Sequence, residues 1–263
     1  MTSDGSETKY GTTWSRDELI LALYAYCQIP FARTKANNPE VIRLASLLGR
    51  TASSVARKLG NFGAFDPRLA EHGITGLTHY SKRDREIWDE FRHDWEGLVS
   101  ESGHLLGTFR AQRTTLATED APVISLPGGP TEKRRLVMTR LRQSFFRRAV
   151  LSSYQSACCV CDIDVQCLLV ASHIIPWSVS RDSRTDPTNG LCMCVLHDRA
   201  FDTGLIAVQP DFTVVVSRNA ITSRLPIVQT ALFGFDGRQI RLPTRFVPEG
   251  RFLQWHVENV LKP

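Results

Sequence analysis

The chain has 263 residues, 42% of them hydrophobic, and 32 lysines and arginines stand against 27 aspartates and glutamates for a net charge of +5. That apolar fraction excludes global disorder, and the mild basic excess is compatible with a polyanionic partner. No run approaches the roughly 18 uninterrupted apolar residues of a membrane helix, and MTSDGSETKYGTTW lacks the basic-then-apolar pattern of a secretion signal, so a soluble, cytoplasmic protein with no membrane partner is expected.

Residues 1–13 read as a disordered lead. A helical domain over 14–115 follows. Ser15 and Glu18 form a capping-box pattern before the apolar run LILALYAYC. Asn38 caps and Pro39 opens a second helix, EVIRLASLL, which stops at Gly49. Thr51 caps a third, ASSVARKLGNF. Helix, tight turn and helix carrying Ser53, Ser54, Arg57 and Lys58 read as a helix-turn-helix, with Arg57 and Lys58 as DNA contacts; a plain helical bundle is the alternative. Ser81 caps one long amphipathic helix over 81–110, with Ile87, Phe91, Trp95 and Leu98 on one face.

The segment 116–131, LATEDAPVISLPGGPT, carries three prolines and a Gly-Gly pair and reads as a linker. The second domain, 132–263, opens with a basic leading helix. Lys133, Arg134, Arg135, Arg140, Arg142, Arg147 and Arg148 stand there against the single acid Glu132, with Val137, Leu141 and Phe145 repeating every four residues. Such a surface attracts phosphates, and Arg134, Arg135 and Arg142 are assigned to DNA. Six of the seven cysteines lie between 158 and 194; in a reducing compartment such clustering points to metal or packing.

Residues 168–174, LLVASHI, form an apolar strand pattern ending in a histidine. A loop with Trp177, Arg181 and Arg184 follows. Asn189-Gly190 then turns into LCMCV, and LHDRAFD makes a helix closed by Gly204. In this strand-loop-strand-helix run, over roughly residues 132–260, the chain resembles the HNH endonuclease superfamily. The similar branch reads ASHIxPW…NGLxL…HDxxFDxGL, and the chain has ASHIIPW, NGLCM and HDRAFDTGL. The N-terminal WSRDELILAL…LGRTASSVARKL…FDP resembles the segment that precedes such domains in bacterial restriction-type proteins. The resemblance implies an α+β protein: a helix-turn-helix-like N-terminal domain, then a ββα-metal nuclease domain with a C-terminal β-hairpin and helix extension.

The chemistry implied is metal-dependent hydrolysis of double-stranded DNA. A neutral imidazole suits removal of a proton from water, so His173 is the general base and Asn189 holds it in place. Mg²⁺ or Mn²⁺ is the cofactor, since Mg²⁺ needs few protein ligands. Many members of the superfamily carry an acid before the base histidine; here Ser172 stands there, which moves the metal onto the helix. Asp198 is the preferred catalytic ligand, with His197 as its rival. Asp202 shares a face with Asp198 and is either a third ligand or a structural brace. Cys158, Cys161, Cys194 and His197 have zinc-knuckle spacing; buried free thiols are the preferred reading and a structural Zn²⁺ the alternative. Cys27 and Cys167 read as packing residues. Arg181 and Arg184 are assigned to phosphate, while Trp177 and His256 are divided between the site and simple packing. Defence against foreign DNA is the implied role. A homodimer would supply a second site for a double-strand break. The rival functions are a non-catalytic DNA-binding regulator with a decayed nuclease domain, and an effector nuclease whose N-terminal domain senses a protein or small signal.

Overall fold

The computed structural model describes residues 11–71, 73–74, 76–77, 80–114 and 130–263. Residues 1–10 of the lead, residues 115–129 of the expected linker and the side chains of Arg134 and Arg135 lie outside the described residues. Two compact units divide the chain between Phe145 and Phe146. That boundary falls inside a helix. The reason is packing: Phe145 stacks on Tyr24 at 5.3 Å and meets Trp95 at 6.4 Å, so it joins the first unit.

Every regular element among the described residues of the first unit is a helix. Helix α1 (Arg16–Gln28) carries the expected capping box and is buried on nearly all sides by Leu19–Leu23 and Tyr26. A helix apolar all round is a central helix. Its polar residues are matched: Tyr26 donates to Asp66 at 3.0 Å, and Glu18 accepts from Arg50 at 2.7 Å. Helix α2 (Pro39–Leu48) starts at the Asn38 cap and ends at Gly49, whose φ of +69° is the left-handed value that glycine tolerates best. Helix α3 (Ala52–Gly63) is capped by the Thr51 hydroxyl. A short α4 (Pro67–Glu71) follows.

The single helix expected over 81–110 is two helices, α5 (Lys82–Phe91) and α6 (Trp95–Thr114). Asp94 restarts the chain, its carboxylate accepting from Gly97 N at 2.8 Å and its carbonyl from Leu98 N. A continuous apolar periodicity hid this internal cap. Helix α7 (Pro130–Ser153) is the expected basic leading helix. Its buried stripe is Phe145, Phe146, Ala149 and Val150; Val137, expected on that stripe, is exposed.

The second unit is built on an antiparallel pair, β1 (Leu169–His173) and β2 (Gly190–Cys194), with Leu169 opposite Cys194 and His173 opposite Gly190. Helix α8 (Val195–Asp202) follows β2 without a loop and packs on both strands. The expected extension follows: hairpin β3 (Ile206–Val208) and β4 (Val214–Val216), a short α9 (Pro226–Ala231), and α10 (Gly250–Asn259) packed on β3. Phe146, Val150, Leu191, Met193, Phe201, Val208, Val214 and Leu253 share one core. Gly204 turns α8 toward β3 with φ +73°; a Cβ there would lie 2.0 Å from the Val260 carbonyl oxygen, so the turn and the chain's end fit only around glycine. No helix among the described residues is long and apolar enough to cross a membrane.

Candidate active site and metal cluster

His173 ends β1, and three neighbours fix its ring. Phe146 stacks on it at 3.6 Å with an interplanar angle of 9°, and Trp177 meets it edge-on at 5.7 Å. Nε2 lies 3.1 Å from the Arg184 carbonyl oxygen. A carbonyl only accepts, so Nε2 carries the proton and Nδ1 keeps the lone pair. Burial pulls the imidazole pKa below its ordinary value, against the opposing bond to Arg184. The ring is therefore neutral near pH 7.

Asn189 is fully buried at the start of β2. Its Oδ1 accepts from Ile175 N at 2.8 Å; its Nδ2 donates to Ile175 O at 3.1 Å and Ser183 O at 3.2 Å. The amide thus ties both ends of the 175–183 loop to the hairpin. It touches the loop and not the imidazole, and the loop leads on to the Arg184 carbonyl that orients the imidazole.

Arg184 differs from the expected phosphate contact. Its Nε donates to Trp177 O at 2.8 Å and its guanidinium lies 5.1 Å over the Trp177 ring, so this side chain braces the loop. Arg181 is exposed. Arg142 pairs with Glu96 inside the first unit.

On α8, neighbouring residues face different surroundings. Asp198 is half-buried and faces the Ser172 hydroxyl; burial raises its pKa, and Ser172 and Arg199 hold it back. Asp202, one turn on, is exposed; burial of its carboxyl and the charge of Asp198 raise its pKa, so the two acids feel each other. His197 points elsewhere. It is 2% exposed, its Nδ1 lies 3.3 Å from Cys194 Sγ and 3.6 Å from Cys158 Sγ, and its Nε2 donates to the Ala231 carbonyl at 2.9 Å. Both nitrogens are engaged, so His197, the rival expected for the catalytic metal, faces the cysteines and the Ala231 carbonyl. Successive helical residues diverge by about 100°.

Cys158, Cys161, Cys194 and His197 converge, with all four ligand atoms within 4.8 Å of one another. Cys161 Sγ and Cys194 Sγ are 3.9 Å apart. A tetrahedral centre with Zn–S of about 2.3 Å separates two sulfurs by roughly 3.8 Å. The spacing is one that could hold a four-coordinate metal, the alternative to free packing thiols. Cys159 and Cys192 do not join the cluster and are buried core thiols, the pKa of each pushed up by burial.

Residues 158–209 match the family model described as HNH endonuclease. This stretch is an HNH endonuclease domain. The matched span runs from the first cysteine of the cluster through the hairpin and α8 into β3, so the whole ββα element lies within it. No curated protein matches the chain. HNH nucleases use divalent metals and act on nucleic acid, which gives the domain its chemical class.

Lys58 is the clearest misplacement of a site residue. It is 8% exposed, and its amine donates to both Asp84 oxygens at 2.8 and 3.0 Å. It is part of the core of the first unit and cannot reach a DNA phosphate. Arg57, beside it, is exposed. The sequence reading missed Phe146, the Arg184 carbonyl and the Ala231 carbonyl. Nothing distinguishes Phe146 from Phe145 in QSFF, and backbone acceptors have no sequence signal.

Proposed function

We propose that the protein is a metal-dependent endonuclease that hydrolyses phosphodiester bonds in double-stranded DNA. The observation that carries this reading is the His173 imidazole: neutral, and oriented by a carbonyl on Nε2 so that Nδ1 keeps its lone pair. Nδ1 takes the proton of the attacking water. Phe146 and Trp177 keep the ring from rotating, and Asn189 holds the loop that supplies the orienting carbonyl.

Side chains alternate along a strand, so Ser172 and Asp198 flank β1 on the face opposite the His173 ring. Asp198 would hold Mg²⁺ or Mn²⁺, with Asp202 within charge range. Bound there, the cation supplies Lewis-acid stabilisation of the leaving alkoxide.

The second metal is a structural zinc on Cys158, Cys161, Cys194 and His197. A zinc-bound histidine that gives its other N–H to a backbone carbonyl is the usual supporting arrangement, and His197 on Ala231 has it. Zinc there anchors the segment before β1 to the start of α8.

Plasmid nicking with Mg²⁺ or Mn²⁺, against His173→Ala, tests the assignment. Cleavage by the wild type and none by the variant supports it; equal absence of cleavage in both favours a DNA-binding regulator. Arg57, Arg134, Arg135 and Arg181 are our DNA contacts. Defence against foreign DNA is the role we assign, carried by the resemblance and tested by comparing cleavage of modified and unmodified DNA.

A further inference from the structure

The first unit holds a cavity of about 380 Å³ at the start of α3, with Thr12, Trp14, Arg50, Ser53, Ser54 and Arg57 in its walls. Small-molecule sites run from about 300 to 1,000 Å³. No carboxylate among the described residues lines it. Helix α3 brings its N-terminus. The Thr51 hydroxyl takes Ser54 N at 3.2 Å and the Thr51 carbonyl takes Val55 N at 3.1 Å, which leaves the Ala52 and Ser53 amides without a partner inside the helix. Arg57, four residues after Ser53, shares its face and is exposed. Arg50 is the buried member of the wall, its side chain 3% exposed. Its terminal nitrogens donate to the Thr12 and Thr13 carbonyls and to Glu18, while its Nε, also buried, has no acceptor among the described residues. The Arg50 guanidinium lies 4.4 Å over the Trp14 ring. The nearby Lys58 amine, 5.2 Å from that ring, is held by Asp84.

We infer that this cavity binds a small phosphate monoester. Free amides at a helix start, with the positive end of the helix dipole behind them, favour an anion with several acceptor oxygens. The Ser53 and Ser54 hydroxyls and the Arg57 guanidinium add donors on the same side. The buried Arg50 Nε sets this helix start apart from an ordinary cap. A buried N–H without an acceptor is costly, and a phosphate oxygen in the cavity supplies one. The cavity is larger than a lone phosphate fills, and Trp14 offers ring surface to the organic part of the ligand. A recess of this size suits a free small molecule, whereas a duplex presents its phosphates on a convex surface. The site lies wholly within the first unit and does not rest on the endonuclease reading.

The test is calorimetric titration of the full-length, zinc-replete protein with adenosine 5′-monophosphate, inorganic phosphate and adenosine. The proteins are wild type, Ser53→Asp and Arg57→Ala, each checked by thermal melting. The monophosphate should bind, inorganic phosphate should bind more weakly, and adenosine should not bind. Ser53→Asp puts a carboxylate in the first turn, which suits the helix, so melting should hold while monophosphate binding is lost. Arg57→Ala should weaken that binding about 10-fold, the loss of one charge-assisted hydrogen bond. Arg57 is shared with the DNA surface proposed above, so Ser53→Asp is the deciding variant. A wild type that takes up no monophosphate, adenosine bound as tightly as its monophosphate, or full binding by Ser53→Asp overturns the inference. A short duplex that binds and loses affinity in Ser53→Asp, where the monophosphate does not bind, gives the cavity to a DNA phosphate and overturns the small-ligand assignment.

Discussion

His197 and Asp198 are adjacent on α8 and meet opposite surroundings. His197 turns into a closed cluster, with three sulfurs around Nδ1 and a carbonyl on Nε2. Asp198 faces the Ser172 hydroxyl and is half-buried. The same division occurs on α3, where Lys58 is locked under Asp84 while Arg57 is exposed. In both pairs the saturated residue holds the fold and its neighbour keeps unused bonding capacity. A ligand-binding group needs that unused capacity, so chemical type alone does not identify a functional residue; the state of its bonds does.

The largest effect should come from the saturated face of α8. Purified protein should contain about one zinc per chain, and apparent zinc binding energies of about 10–16 kcal/mol rival the whole stability of a domain, about 5–15 kcal/mol. Chelation or Cys158→Ser should therefore unfold the second unit, as read by circular dichroism. An unchanged melt after metal removal would break the comparison at its root.

His173→Ala should lower the cleavage rate by about 10²–10⁴-fold with melting and DNA binding retained, whereas His197→Ala should act by loss of fold. The base must be neutral to accept a proton, and burial lowers the His173 pKa. The acid limb of the cleavage profile should then fall below the ordinary histidine value of about 6.5. A limb above that value would show that another group is the base.

Lys58→Met leaves Asp84 buried with its cation gone and should cost about 3–5 kcal/mol in denaturant unfolding, with DNA affinity unchanged. His256 gives a smaller, pH-dependent effect. Its ring is buried against Phe201 of α8, and burial lowers its pKa to about 4. The unfolded chain binds this proton near pH 6.5 and the folded chain only near 4, so stability is full above about 6.5 and is lost as pH falls toward 4. The loss is on the order of 3 kcal/mol, and His256→Leu should remove that part of the acid sensitivity. Arg57→Ala should be the mildest, within about 0.5 kcal/mol of wild-type stability. Its DNA affinity should weaken and its salt slope fall by about one. Unchanged salt dependence would end the DNA role of α3.

Much of the local structure was legible in the sequence. Ser15, Asn38, Thr51 and Ser81 cap the helices where their spacing placed them. ASHI, NG and HDRAFD fall on the strand end, the turn and the helix. These signals are local: a cap bonds within three residues, and a motif fixes its own backbone. The break at Asp94 escaped because apolar periodicity continues through it, although the cap itself is local.

What the sequence determined by itself was the ββα element, the histidine that ends its first strand and the spacing of its cysteines. Tertiary structure alone decided which of two neighbours on a helix is free. Lys58 is held by Asp84, 26 residues away, and Arg184 contributes a carbonyl where a guanidinium was expected. His197 turns away from Asp198 because Cys158 and Ala231, distant in sequence, converge on its two nitrogens. The physical reason is the same each time. A side chain's chemistry is written in its own letter, but its unused bonding capacity is set by partners that only folding brings within about 3 Å.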